Sequence, residues 1–262
     1  MIYDLQKASI MKRISAFLLD FILATIVFTG ALWFFSSILN YDAQIDIMDD
    51  RRQAIELEYG IPALSEKYEV SLNDFQGMSQ EERNVLPADI QQLFSDCINE
   101  INNDSKYNQA LAISINLILI MLSFSLLTAV LVTEFIIPLI LKNGQTVGKK
   151  VFSLAVMRTD GIKIAPALLL SRSVVGKYTI ELMLPVLMVF MVLFFPSGIL
   201  PIIVLLVLLI IEVILIIATR TNSLIHDSLS STVVVDFSSQ MIFDSVEAKQ
   251  EYQRRIHEEE KR

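Results

Sequence analysis

The apolar positions of this chain gather into four long blocks instead of recurring at the spacing of a globular core. They are Ile14–Leu39, Ala110–Leu141, Leu182–Phe195 and Ile199–Ala218. About 20 apolar residues in a helix cross the hydrocarbon layer of a bilayer. The first, second and fourth blocks reach that length. The third is shorter, and Pro196-Ser197-Gly198 joins it to the fourth as a tight turn between antiparallel spans. The pattern predicts an all-α polytopic membrane protein with four transmembrane helices. The first block is too long for a signal-peptide core and no small-x-small site follows it, so it is expected to be a retained anchor.

The polar stretches between blocks complete the predicted organisation. Residues 1–39 form a short lead-in and the first span, 109–141 the second span, and 180–219 a hairpin of the third and fourth. Residues 40–108 are an insert. In it Ile45, Met48 and Ile55, and later Ile90, Phe94, Cys97 and Ile101, recur at helical spacing. Gly60-Ile61-Pro62, Gly77 and Pro87 cut it into short helices. Residues 142–179 are a connection with a β-branched-leaning stretch, Val151–Met157, and a turn at Arg158-Thr159-Asp160-Gly161. An amphipathic helix, Ile164–Tyr178, follows and is expected at the membrane interface, with Arg172 and Lys177 on its polar side. Residues 220–262 end in a charged, solvated helix. No internal repeat supports an inverted-repeat transporter within one chain.

Composition agrees: 53% of the 262 residues are hydrophobic and the mean hydropathy is +0.55. The net charge of −8 divides unevenly, because residues 40–108 hold fifteen acidic and five basic residues. Basic residues gather at Lys7, Lys12 and Arg13, at Lys142, Lys149 and Lys150, and at Arg158, Lys163, Arg172, Lys177 and Arg220. By the positive-inside rule both termini and the 142–179 connection face the cytoplasm, and the acidic insert is extracytoplasmic. The acidic balance argues against a nucleic-acid partner. The single cysteine, Cys97, forms no internal disulfide and is either a buried structural thiol or an intermolecular bridge.

Three stretches together resemble the RDD family of small bacterial membrane proteins, named for one arginine and two aspartates. The first is Arg13 at the start of span one with Asp20 inside it. The second is Asn143-Gly144-Gln145-Thr146-Val147-Gly148-Lys149-Lys150 directly after span two, similar to the family's G-Q-T-x-G-K signature followed by a basic residue. The third is His226-Asp227-Ser228-Leu229-Ser230-Ser231-Thr232-Val233-Val234-Val235, similar to its G-D-x-x-x-x-T-x-V-V ending. The resemblance covers about residues 8–40 and 110–236 and implies that Asp227 is the second aspartate. His226 stands where the family has glycine, and Ser230-Ser231 replace an Ala-Gly pair. The resemblance implies either a cation transporter of the sodium/proton antiport type or a non-transporting accessory subunit.

Each long block is interrupted by one acid: Asp20, Glu134 and Glu212. A carboxylate inside a bilayer costs several kcal/mol unless paired or protonated, so such groups mark function or a buried polar contact. Asp20 lies seven residues after Arg13, two turns along one helix and about 10 Å up its axis. That is too far for an ideal pair, and Asp227 is the competing partner for Arg13. Asp20, Glu134, Asp227 and Glu212 are therefore the candidate ion- or proton-binding groups. The opposing reading is ion pairing with Arg13, Lys142, Arg172 or Arg220. Glu181, at the start of span three, is expected at the interface.

Gly144-Gln145-Thr146-Val147-Gly148-Lys149-Lys150 is not a phosphate-binding P-loop, which needs four residues between its glycines and Ser or Thr after the lysine. It is expected to be a tight turn at the membrane exit. Gly144 and Gly148 would allow positive φ or close packing, Gln145 and Thr146 would cap backbone groups, and the lysines would face anionic lipid. His226 is either an exposed residue or one that tunes a proton site beside Asp227. Topology separates Cys97 from both histidines, and no hydrolase, metalloprotease or CxxC motif is present. The expectation is no enzyme, no cofactor and no metal site. The expected partners are membrane lipids, monovalent cations or protons, and further copies or subunits in a bacterial cell membrane. The alternative function is a subunit or scaffold that docks a partner through its insert.

Overall fold

The computed structural model describes residues 8–195, 198–219 and 221–259. Among these, four helices are long and apolar enough to cross a membrane: α1 Ile10–Ile38, α7 Ser105–Leu141, α9 Pro166–Phe194 and α10 Leu200–Ala218. This is the predicted four-helix polytopic class. In α10 only 6% of the apolar window is buried within the chain, which leaves its Ile, Leu and Val side chains facing outward as a lipid solvent would favour. Arg220, Pro196 and Ser197 of the expected membrane-exit and turn positions lie outside the described residues, as do residues 1–7 and 260–262. Gly198, the last turn residue, has φ +67°.

The third span differs from expectation. A separate interfacial helix followed by a short span was predicted; instead Pro166–Phe194 is one continuous helical element. Pro166 begins it at the first turn after extended Ala165, a position where the missing N–H costs nothing. The polar side of Ile164–Tyr178 turns into the protein: Arg172 is 1% exposed.

Two helices widen locally. α7 is π-helical over Leu131–Ile136 and α9 over Arg172–Met183. Both stretches stop just before a proline, Pro138 and Pro185. Proline cannot donate to the carbonyl four residues earlier, here Glu134 and Glu181, and its ring crowds that carbonyl. A wider turn relieves the clash. At Glu134 the freed carbonyl accepts the Ser173 hydroxyl at 2.8 Å.

The chain folds as two compact units. One spans Trp33–Leu122. Its helices α2 Tyr41–Glu58, α3 Ile61–Tyr68, α4 Leu72–Gly77, α5 Gln80–Arg83 and α6 Ala88–Asn103 close over Ile55, Ile61, Leu72, Phe75, Ile90, Phe94, Cys97 and Ile101. The helical spacing read from the insert picked out Ile55, Ile90, Phe94, Cys97 and Ile101 of this core, whereas Ile45 and Met48 are half-buried outside it; Cys97 is fully buried. Ser71 and Ser79 form capping boxes with Asp74 and Glu82, satisfying the first N–H groups of α4 and α5.

The other unit comprises the described residues up to Leu32 and those from Ser123 onward. It adds to the helices a two-stranded antiparallel ladder, β1 Leu154–Arg158 with β2 Thr232–Asp236, in register from Leu154↔Asp236 to Arg158↔Thr232. β1 starts inside the β-branched-leaning stretch and runs one residue beyond it, through Arg158, which was expected in the turn; β2 is the Thr-Val-Val-Val ending with Asp236. Both faces are covered, by Ala155, Met157, Val233 and Val235 on one side and Leu154, Val156 and Val234 on the other. That double burial explains the unbroken apolar runs Leu154–Met157 and Val233–Val235 within the strands. The ladder carries the short helix α8 Val147–Val151 before β1 and the short helix α11 Ile225–Leu229 before β2. Two far-separated motifs are thereby brought side by side.

Candidate functional site

A cavity of about 320 Å³ lies among α1, α7, α8, α9 and α11, and Arg13, Asp20, Glu134, Lys149, Arg172, Lys177, His226 and Asp227 line it. Three of the four predicted acids thus converge. Glu212 does not line the cavity, although Ile216, one turn further along α10, does. Apart from Asn222 the remaining wall is apolar, with Ile10, Ile14, Phe17, Leu224 and Val234.

Asp20 does not pair with Arg13. Its Oδ2 accepts the Thr146 hydroxyl and its Oδ1 accepts the Gly148 N–H at 2.7 Å. The Asp20 carboxylate therefore clamps the loop that follows the second span onto the first. Gly148 is required by closeness, because a Cβ there would lie 2.2 Å from the Ala16 carbonyl oxygen and 2.9 Å from the Asp20 carboxyl. Gly144 sits at φ +61° with Val156 against it, as the predicted turn needs. Gln145 donates to the Leu154 carbonyl at 2.8 Å, and Thr146 caps α8 by accepting the Lys149 N–H at 3.2 Å.

Lys149 corrects the sequence reading. It was expected to face lipid; it is 8% exposed and turns inward, while Lys150 remains outside. Its Nζ lies 3.3 Å from Glu134 Oε2 and 3.4 Å from Thr146 Oγ1. The other Glu134 oxygen accepts from Lys177. The ion-pair partners expected for the intramembrane acids included Lys142, Arg172 and Arg220; at Glu134, Lys149 and Lys177 take that place. Burial pushes the Lys149 ammonium down to about 8, helped by Lys177 and Arg172 and opposed by Glu134 and Asp20.

Asp227 gathers the arginines. Arg172 donates to Oδ1 through Nη2 at 2.8 Å and Nε at 3.2 Å, and Thr232 donates to the same oxygen at 3.2 Å. Arg13 approaches Oδ2 at 3.5 Å while donating to the Asn222 carbonyl at 2.8 Å. The arginines therefore gather on Asp227, the competing partner for Arg13, while Asp20 stands apart in the adjoining loop clamp. Burial works to raise Asp227, but Arg172, His226 and Arg13 outweigh it and hold the carboxyl well below its usual range.

His226 was expected to be exposed or to tune Asp227. It is 4% exposed, and its Nε2 lies 3.6 Å from Asp227 Oδ1. Its Nδ1 faces both oxygens of Glu181 at 2.7 and 2.8 Å, so Glu181 turns toward the protein. Gly176 makes this approach possible, since a Cβ there would meet His226 Cβ at 2.5 Å. Burial lowers His226, with Arg172 and Lys177 adding to it and Asp227 and Glu181 opposing. Sequence reasoning missed Glu181 and Lys177 as site residues. One signal was present: Glu134 and Glu181 both precede a proline by four positions within a span.

The model of the RDD family matches residues 7–231 of this chain. No curated protein and no solved structure matches it.

Proposed function

Because the chain belongs to the RDD family, we propose that it exchanges a monovalent cation for a proton at the position occupied by the Lys149 ammonium. One observation carries this reading. Lys149 Nζ sits among oxygens of Glu134 and Thr146, with Asp20 bonded to the same Thr146 hydroxyl. Hard cations take oxygen ligands of this kind. When Lys149 loses its proton, Glu134 keeps its charge and the oxygen nest is open to a cation. Loss of one proton and entry of one monovalent cation leave the total charge of the cluster unchanged. The crowding of Lys149 by Lys177 and Arg172 supports the ease of that loss.

The setting is part of the proposal. The protein works in a bacterial cell membrane with its termini and the 142–179 connection in the cytoplasm. It works as an oligomer, because four spans are few to enclose a path alone. The test is cation-driven pH change in vesicles holding the purified protein, with Na⁺, Li⁺ and K⁺ compared. Proton flux that depends on the cation and is lost in Lys149→Gln and Asp20→Asn is the expected result. Absent flux from the unaltered protein, or full flux after Asp20→Asn, would overturn the mechanism.

A second reading is favoured by the separate apolar core of the Trp33–Leu122 unit. A segment that closes its own core and carries a strongly acidic exterior suits the docking of an extracytoplasmic partner. Co-purification with residues 40–108 intact and deleted decides it, and unchanged partner recovery after deletion would exclude it.

A further inference from the structure

One group of ionisable side chains next to the cavity takes no part in the exchange. Glu212, inside the most apolar span, lies within reach of Glu181 of α9 and of the Ile225 backbone N–H. Glu212 Oε2 is buried and no hydrogen-bond donor meets it. Glu181, in turn, accepts the His226 backbone N–H at 2.8 Å and faces the His226 ring nitrogen Nδ1. An ionised Glu181 carboxylate accounts for both of these donors. Two carboxylates cannot hydrogen-bond to each other without a proton between them, and Glu212 Oε2 is the oxygen left without a donor. A protonated Glu212 that donates through Oε2 satisfies both acids, whereas an ionised one leaves a buried, unpaired charge.

We propose that Glu212, Glu181 and His226 form a hydrogen-bonded proton store that opens onto the cavity at His226. With Nδ1–H pointing to Glu181, the neutral ring presents a bare Nε2 toward Asp227 and the cavity. A proton arriving from the cavity binds Nε2. The Nδ1–H bond breaks as an O–H bond forms on Glu181, and the ring is left neutral with its proton on Nε2. The acid pair then holds two protons in place of one, and the reverse sequence returns a proton to the cavity. The charged groups facing this chain are Lys177 beside Glu181, and Arg172 and Asp227 beside His226; Asp227 also acts on Glu212. Lys177 connects the store to the exchange site, because it bonds Glu134 there. The role as a store for exchange rests on the cation–proton reading above; the shared proton itself does not.

The experiment uses the full chain in detergent at neutral pH with no cation gradient. Infrared spectra should show a carboxylic-acid C=O band that disappears in Glu212→Gln. The chain holds two histidines, so ¹⁵N spectra of His257→Gln report His226 alone, and its Nδ1 should carry the proton. The same ¹⁵N signal in Glu212→Gln combined with His257→Gln confirms that the variant is folded. An acid band that is absent, or that survives Glu212→Gln in the folded variant, would overturn the proposal, as would a His226 tautomer with Nδ1 bare. Cation-driven flux without the acid band removes the store and keeps the exchange. The acid band without any flux removes the exchange and keeps the shared proton.

Discussion

Gly148 donates its backbone N–H to Asp20 Oδ1 at 2.7 Å, across 128 positions of sequence. The bond gives the intramembrane acid of the first helix a partner that is neither a cation nor water. Asp20 becomes the anchor of the Gly144–Lys150 loop, and the loop in turn places the Lys149 ammonium beside Glu134. A glycine is required at the joint, since any Cβ would strike the Ala16 carbonyl.

Gly148→Ala should therefore be destabilising. Overpacking of this kind costs about 1–3 kcal/mol, and it also displaces the Asp20 carboxyl. Gly30→Ala in the same helix as Asp20 is the control, because nothing lies within 4 Å of the added Cβ. Thermal denaturation in detergent should show a lower Tm for the first variant and no loss for the second.

Cation affinity should rise with pH. The Lys149 ammonium is lowered to about 8, so protons occupy the nest below that pH and leave it above. On the exchange reading, a proton competes with the cation below about pH 8 and not above it. Titration with Na⁺ at about pH 7, 8 and 9 (about one unit either side of the transition) should show affinity increasing through this window. Lys149→Gln should abolish the pH dependence, and an affinity that falls with rising pH would contradict the assignment.

Removing Asp227 should be far more costly than removing an exposed acid. Arg172 is 1% exposed and its guanidinium faces Asp227, so Asp227→Asn leaves a buried charge without its counter-ion. Breaking a buried pair in this way costs about 3–5 kcal/mol. The native carboxyl is held below its usual range, so its contribution is present above the ordinary carboxylate pKa and is lost only as the pH falls into the strongly acid region. Stability measured from pH 4 to 7 should separate the native protein from Asp227→Asn throughout.

Ser231 stands at φ +49°, at the place where the RDD pattern carries glycine. A left-handed conformation costs an L-residue about 1–2 kcal/mol, part of which glycine returns as unfolded-chain entropy. Ser231→Gly should raise stability by up to about 1 kcal/mol, read as an increase in Tm with unchanged helical content.

The Trp33–Leu122 unit offers an independent check. Phe94 is fully buried and stacks on Phe75 with ring centroids 4.9 Å apart. Phe94→Ala should cost about 3–5 kcal/mol. The loss should appear in hydrogen exchange of α2–α6 and not in that of the β ladder.

The sequence by itself determined the elements whose cause is local or one-dimensional. A bilayer demands contiguous apolar residues, so four spans were legible as four blocks, and Ile90, Phe94, Cys97 and Ile101 disclosed a helix face by their spacing alone. The acids Asp20, Glu134 and Glu212 stood out for the same reason, each as the one charge in its block. Only the tertiary structure decided which charge meets which. The β1–β2 ladder joins positions 154–158 to 232–236 and so sets α8 and α11 beside the same cavity. Arg172 and Lys177 resembled the wet side of an interfacial helix because periodicity records that a face is polar and not what covers it. Here Asp227 and Glu134 cover it, within a helix that runs unbroken from Pro166 to Phe194. The Glu212–Glu181–His226 chain was hidden for the same reason, since hydrogen-bond partners from three separate elements leave no periodic trace along the chain.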